Sequence, residues 1–493
     1  MSFLKITEDL LNQTLTENGD LAYSSTLSPC LDYFALVGGK REHVSECAPL
    51  FAKAFFEDKN TALKLLFYTR DIRKGLGERR IFRFLLNSLA LSYPDVVTKL
   101  VPYVAEYGRY DDLLALLYTP CEDVVIDLIQ DQLEKDLDNK KNGKSISLLA
   151  KWLPSINTSN AEARQMAKYL ATRLNLSNAD YRKTLSYLRK DMIVENNLRE
   201  KSYDFDYAKV PSVAMNKYHE AFIRNDGERF EKYIADVSTG EKEMNVDVLD
   251  IVNFIKQIKA TLYGVKDYSE YFEVTWKKIL EDSSINKRTL VVRDGSGSMT
   301  IGNALNIADA MCLLTACRLE GEFHNKFITF SSKPELVDLS KQESIKDKVA
   351  YLQTFDDCSN TNIQKVYDLI LNVYKSKDFK EEDAIEQILI VSDMQFDYCR
   401  ENNDDKVLMS TFEYFKSEFA KLGHKMPEIV YWNVDARQTN VPVTQNEYGV
   451  KLISGSSKNV IDLVTKTPSL NPLDFMNKVL ANYSFIDDLF SKE

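Results

Sequence analysis

Histidine is scarce in this 493-residue chain, with four present at positions 43, 219, 324 and 424. None lies beside the turn that concentrates acids and hydroxyls, so no general base for hydrolysis or phosphoryl transfer is visible there. Each reads as a surface or hydrogen-bonded histidine. Cysteine pairing is equally poor. The seven thiols (30, 47, 121, 312, 317, 358 and 399) are odd in number and include no C-x-x-C, which suits a reducing compartment better than a disulfide framework. No apolar run approaches the ~18–20 residues that a membrane helix needs. The first twenty residues, MSFLKITEDLLNQTLTENGD, carry acids and amides where a signal peptide would have a basic and then an apolar stretch. The expected location is cytoplasmic, with the nucleus as the alternative and no membrane partner. Basic charge is also short. A net charge of −11 argues against a chain that coats nucleic acid over its whole surface.

The length predicts two or three domains. Charge is spread unevenly between them. Residues 1–288 hold 41 Lys and Arg against 43 Asp and Glu, and the remainder holds 22 against 31. Two stretches of the first part are locally basic: residues 70–83, with six basic residues and two acids, and residues 164–190, with seven and one. From about 50 to 285 the apolar pattern is helical. Val97, Leu100, Val101 and Val104 follow i, i+3, i+4, i+7, as do Val248, Ile251, Val252 and Ile255. Pro102 falls inside one such segment and should kink it or mark its first turn. Short helices in series predict antiparallel pairs stacked as a helical repeat. VPSVAMNKYHEAFIRND (210–226) reads as one more such helix, with His219 outward.

After about residue 285 the rhythm changes. The apolar runs TLVVR, KFITFSS, IEQILIVSD, EIVYWNV and GVKLIS alternate with amphipathic segments. That alternation predicts a mostly parallel α/β sheet covered on both faces. The expected fold is therefore α plus α/β: a helical-repeat module over 1–285, a sheet domain over 286–465, and a helical extension over 466–493 that folds back onto one of them.

The first of those runs ends in DGSGS, with Asp294, Ser296 and Ser298 at i, i+2 and i+4. In parallel sheets ligands bind at the carboxyl ends of strands. Thr361, in a loop before a helix, and Asp393, ending a later buried run, are placed to converge on the same sheet edge. Mg²⁺ takes about six oxygens at roughly 2.0–2.1 Å and keeps some water, so two carboxylates and three hydroxyls suit it. As a plain turn, DGSGS would instead hold only local Asx and Ser hydrogen bonds. A phosphoryl-accepting aspartate would want a second Asp where Ser296 stands, and a hydrolase elbow wants G-x-S-x-G. The site reads as a binding site in a protein that is not an enzyme.

D-x-S-x-S after a first strand, a loop Thr and an Asp ending a later strand resemble the metal-ion-dependent adhesion site (MIDAS) of von Willebrand factor A domains. The resemblance implies that Mg²⁺ or Mn²⁺ is ligated directly by Ser296, Ser298 and Thr361. Asp294 and Asp393 would act through bound water, and one position would stay open for a carboxylate from a protein partner. Two positions depart from that pattern: Asn360 stands where Gly usually precedes the Thr, and Arg293 precedes the first Asp. A helical module followed by such a domain also resembles the TROVE-module proteins, the Ro ribonucleoproteins. That likeness implies HEAT-like repeats closed into a ring and binding to single-stranded or structured RNA. The candidate RNA contacts are Arg73, Lys74, Arg79, Arg80 and Arg83, then Arg182, Lys183, Arg189 and Lys190 interleaved with Tyr181 and Tyr187. Arg109 and Lys151 stand at sharply punctuated helix boundaries, where such residues also cap carbonyls. Cations that track phosphates beside stacking aromatics serve sequence-tolerant single-strand binding. The alternative is a protein-interaction scaffold in which these charged helix faces are merely solvated.

Overall fold

A computed structural model describes residues 3–190, 194–262, 264, 268–281, 284–330, 333–356, 361–397 and 410–491. Asn360 and the thiols at 358 and 399 lie outside the described residues. Contacts divide the chain into two compact units, one of residues 1–69, 74–76 and 234–493, the other of residues 70–73 and 77–233. This division differs from the expected boundary at 285, because residues 1–69 and 234–285 group with the sheet.

In the first unit a short antiparallel hairpin, β1 (Gln13–Leu15) and β2 (Leu21–Tyr23), precedes six strands of one sheet. These are β3 (Thr289–Asp294), β4 (Lys326–Phe330), β5 (Leu336–Asp338), β6 (Gln387–Ser392), β7 (Glu428–Asn433) and β8 (Val450–Ser454). Their order is β5-β4-β3-β6-β7-β8, parallel throughout except for the antiparallel edge strand β5. Strands β3, β6, β7 and β8 are buried along their whole length. This accounts for their unbroken apolar sequences, since both faces are covered. On one face Leu290, Val292, Ile388, Ile390, Ile429 and Leu452 pack with residues of helices Ile363–Tyr374 and Thr411–Leu422. Helix Ala304–Arg318, buried nearly all round, packs against β3, β4 and β6 and against helix Ile251–Thr261. Val248 precedes that last helix and is exposed, so the apolar period runs one turn past the helix, which starts at the Asp250 cap.

The N-terminal segment completes this unit. Gly38 N–H donates to Ser454 Oγ at 2.9 Å. A Cβ on Gly38 would lie 2.6 Å from the Ser454 backbone, so only glycine permits that approach. The C-terminal helices pack on the same segment through Phe475 against Phe34 and Phe485 against Phe67.

The second unit is helical among its described residues, with helices Arg79–Ser92, Pro94–Tyr107, Glu122–Lys141, Ala161–Arg173 and Asn178–Arg189. Pro102 sits inside the second of these and is exposed. Val97, Leu100, Val101 and Val104 are buried, as their period predicts. His219 is buried, not outward, and its Nδ1 lies 2.8 Å from the Asn216 carbonyl. The ring fills core space on helix Ser212–Ser238, and burial lowers its pKa. Polar order in this unit centres on Asp112. Its carboxylate accepts from Arg70 Nε at 2.7 Å, Arg83 Nε at 2.6 Å and the Arg109 N–H at 2.9 Å. A side chain on Gly108 would reach 2.4 Å from Asp112 Oδ2, so the YGRYDD sequence encodes this hub. Replacing Asp112 by Ala strands the buried Arg70 guanidinium. The expected loss is about 3–5 kcal/mol in urea unfolding, against under about 1 kcal/mol for Asp123→Ala at the exposed Arg173 pair. Equal losses would show that the hub carries no special weight.

Candidate metal-binding site

The sheet order creates the site. From β3 the chain first builds outward through β4 and β5, then returns to lay β6 on the other side of β3. The carboxyl ends of β3 and β6 therefore flank a topological switch point, where open α/β sheets hold ligands. The β3–β6 register pairs Arg293 with Val391, so Asp294 and Ser392 stand side by side and Asp393 follows at once.

Asp294 and Asp393 are both fully buried. Asp294 accepts from the Ser296 N–H at 2.9 Å and from Ser392 Oγ at 2.5 Å. Ser296 Oγ lies 3.1 Å from Ser298 Oγ, on the single 3₁₀ turn Gly297–Thr300. Gly295 is required where it stands, because a Cβ there would come within 2.9 Å of the Phe355 carbonyl. Asp393 accepts from the Gln395 N–H at 3.2 Å and from the Arg437 guanidinium. Thr361 is also buried, and its Oγ1 accepts from Asn18 Nδ2 at 3.1 Å. The same Asn18 amide donates to the Gln395 carbonyl at 2.6 Å. Asp294, Ser296 and Ser298 at the end of β3 thus meet Asp393 at the end of β6, and Thr361 joins them through Asn18 and Gln395.

Burial, reinforced by the Asp393 charge, pushes the Asp294 carboxyl up to about 7. Two buried carboxyl groups answered by one guanidinium, with the Ser296 and Ser298 hydroxyls beside Asp294 and the Thr361 hydroxyl tied in through Asn18, offer an all-oxygen donor set, which fits a hard divalent cation. Among the described residues no group of three or more His, Cys, Asp or Glu forms an alternative metal cluster. Arg293 does not enter the site. It is buried beneath the turn, with Nε 2.7 Å from Asp309 Oδ1 and a further ion pair to Asp356. Lys259 closes the same cluster from helix Ile251–Thr261 onto Asp309.

The sequence pattern did not disclose three participants. Asn18 and Glu17 come from the turn of the β1–β2 hairpin, and nothing local links that turn to Thr361 and Gln395, 343 and 377 residues away. Arg437 follows β7, with Asp393, Asp435 and Glu17 all within 4 Å of its guanidinium. Ser392 was within reach of inference, since parallel pairing of the runs ending at 294 and 393 sets it beside the first acid.

The candidate RNA contacts are dispersed. Arg73, Lys74, Arg79 and Arg80 are exposed, and Arg73 donates to the Glu106 carbonyl at 3.0 Å. Arg83 is committed to Asp111 and Asp112. Arg109 lies 4.4 Å above the Trp152 ring, with Lys151 Nζ 5.6 Å from the same ring; burial, with the nearby Arg70 charge, lowers the Arg109 pKa. Arg182, Lys183 and Lys190 are exposed. Arg189 turns inward and caps the Ala150 and Leu153 carbonyls.

A family described as "Domain of unknown function (DUF2828)" matches residues 16–125 and 110–289. The chain belongs to the DUF2828 family. A second, described as "Domain of unknown function (DUF7788)", matches residues 288–474. The chain is also 31% identical over 520 residues to "Uncharacterized protein L728" of Acanthamoeba polyphaga mimivirus, spanning 96% of this chain and 88% of that protein. The two matches meet close to the expected boundary at 285. The DUF2828 segment nevertheless contributes Asn18 and the rest of the N-terminal hairpin to the edge of a sheet that the DUF7788 match contains.

The raised Asp294 pKa sets a pH dependence. Between about pH 4 and pH 7 the folded chain holds a proton that the unfolded chain has released, so stability of the metal-free protein falls as pH rises through that window. In EDTA, Asp294→Asn should flatten this slope in urea melts. An unchanged slope would mean that Asp294 is not the group responsible.

Proposed function

We propose that this chain is a non-catalytic binding protein in which a von Willebrand A-like sheet domain presents a divalent-metal site to a protein partner and the helical module binds RNA, as in the Ro ribonucleoproteins. The observation that carries the first part is the convergence of Asp294, Ser296 and Ser298 with Asp393 at neighbouring parallel strand ends, with Thr361 alongside. The strand order, with its one antiparallel edge strand, supports the von Willebrand A reading of the sheet. Short helices in series support a HEAT-like, TROVE-like reading of the helical module. Mg²⁺ or Mn²⁺ would be held by these five residues and would supply a Lewis-acidic position for a carboxylate. This reading assigns the site no nucleophile–base pair: among the described residues His219 packs in the core of the helical unit and His424 lies against Glu381.

Titration with Mn²⁺ should raise the melting temperature of the full chain, and Asp294→Ala combined with Ser296→Ala should abolish the rise. A double variant that keeps the full shift places the metal elsewhere.

RNA binding rests on the exposed cations Arg79, Arg80, Arg182 and Lys183. If they and their neighbours neutralise about five phosphates, affinity for single-stranded RNA should fall with salt at a log–log slope of about −3.5. Reversal of Arg79 and Arg80 should flatten that slope for every sequence alike, and metal-site variants should leave it alone. The internal engagement of Arg83 and Arg189 favours the second reading, a protein scaffold without RNA, and a slope near zero would establish it.

A further inference from the structure

We infer that a cleft in the helical unit, between helix Asn178–Arg189, helix Val194–Glu200 and the loop 155–158, is a binding site for a nucleoside monophosphate unit. Its volume is about 680 Å³, within the range of roughly 300–1,000 Å³ typical of small-ligand sites. Among the described residues, the charged groups of its wall are Arg182, Arg189, Lys190 and Arg199 against Glu200.

These groups divide into two sets. Arg189 is spent on the fold, donating to the carbonyls of Ala150 at 2.6 Å and Leu153 at 2.5 Å and to Ser155 Oγ. It thereby ties the loop that forms one wall to the helix that forms the other. Arg199 is held by Glu200 at 3.5 Å and Asn196 Oδ1 at 3.3 Å. The side chains of Arg182 and Lys190 have neither ion-pair nor hydrogen-bond partners among the described residues, although both line the cleft. Two unspent cations on one concave wall match the two negative charges of a terminal phosphate. The Asn157 and Asn197 side chains also line the cleft and have no hydrogen-bond partner among the described residues. A carboxamide pairs a donor with an acceptor, which suits a base edge. The buried Tyr181, its hydroxyl donating to the Pro154 carbonyl at 3.0 Å, and Leu185 give the cleft an apolar floor for a base or ribose.

A monophosphate unit can be a free nucleotide or the phosphorylated end of an RNA, and the second case rests on the RNA reading proposed above. The test uses the full chain with AMP, adenosine, a Glu-rich peptide, and a hexa-adenylate RNA with and without a 5′-phosphate. AMP should bind, and adenosine about tenfold more weakly. Arg182→Glu with Lys190→Glu should weaken AMP by at least about tenfold. Arg182→Gln with Lys190→Gln should weaken it less while preserving the melting temperature, since both side chains are exposed. A 5′-phosphorylated hexamer that binds about tenfold tighter than AMP identifies an RNA end as the ligand; equal affinity identifies the free nucleotide. Absence of binding by AMP and by the phosphorylated hexamer, affinity untouched by both pairs of substitutions, or preference for the peptide would overturn the inference. RNA binding that responds to Arg79 and Arg80 but not to Arg182 and Lys190 would remove the cleft and leave the RNA reading standing. AMP binding through the cleft without any RNA affinity would do the reverse.

Discussion

Parallel pairing of β3 with β6 places two buried carboxylates next to each other, and much of the sheet unit is arranged around that juxtaposition. Asp294 and Asp393 cannot both ionise in a dry environment without a cation or a dense set of donors. The protein supplies both. Ser392, the Ser296 amide and the Gln395 amide donate to the pair, and Arg437 brings a positive charge from the end of β7. Directly beneath, Arg293 faces the opposite problem, a buried cation, and Asp309 and Asp356 resolve it. The turn between strand and helix is thus bracketed by a cluster with surplus negative charge above and a neutralised one below.

Much of this was legible in the sequence, because it depends on short-range pattern. Unbroken apolar runs marked five of the six strands of the sheet, and the segments between them marked helices Ala304–Arg318, Ile363–Tyr374 and Thr411–Leu422. The short edge strand Leu336–Asp338 escaped notice, since three residues with only Val337 buried leave no apolar run. The site was legible to the extent that its residues end strands. Asp294, Ser296, Ser298 and Asp393 announce themselves by interrupting apolar runs, whereas Asn18 and Arg437 sit in polar turns with no periodicity to set them apart. Basic clusters were the least informative pattern. Arg83 and Arg189 lie in clusters that look uniform, yet one is locked to a buried aspartate and the other caps carbonyls. Charge alone does not tell a solvated cation from one consumed by the fold.

The segments that pack with the sheet are also the most distant in sequence. Tyr23 exchanges backbone hydrogen bonds with Val441, the Lys40 ammonium reaches the Ala436 carbonyl, and Gly38 meets Ser454. Each of these contacts closes a loop of roughly 400 residues, and much of that loop is the helical unit. Closure entropy grows only slowly with loop length. A helical insertion of that size therefore costs the native sheet unit little, provided that the insertion folds on its own contacts.

Synthesis on the ribosome turns this topology into an order of events. Residues 1–69 emerge before any strand of the six-stranded sheet, with the apolar surface of Leu31, Phe34, Leu36 and Val37 and no sheet to cover it. The helical unit follows and can fold from local contacts. Strands β7 and β8, against which the N-terminal segment packs, are made only after the helical unit and the other strands of the sheet. The nascent chain must therefore keep an apolar N-terminal segment from misassociating until those strands are made. A fragment that begins at residue 286 would have the same deficiency permanently, with one end of its sheet uncovered and Thr361 deprived of Asn18.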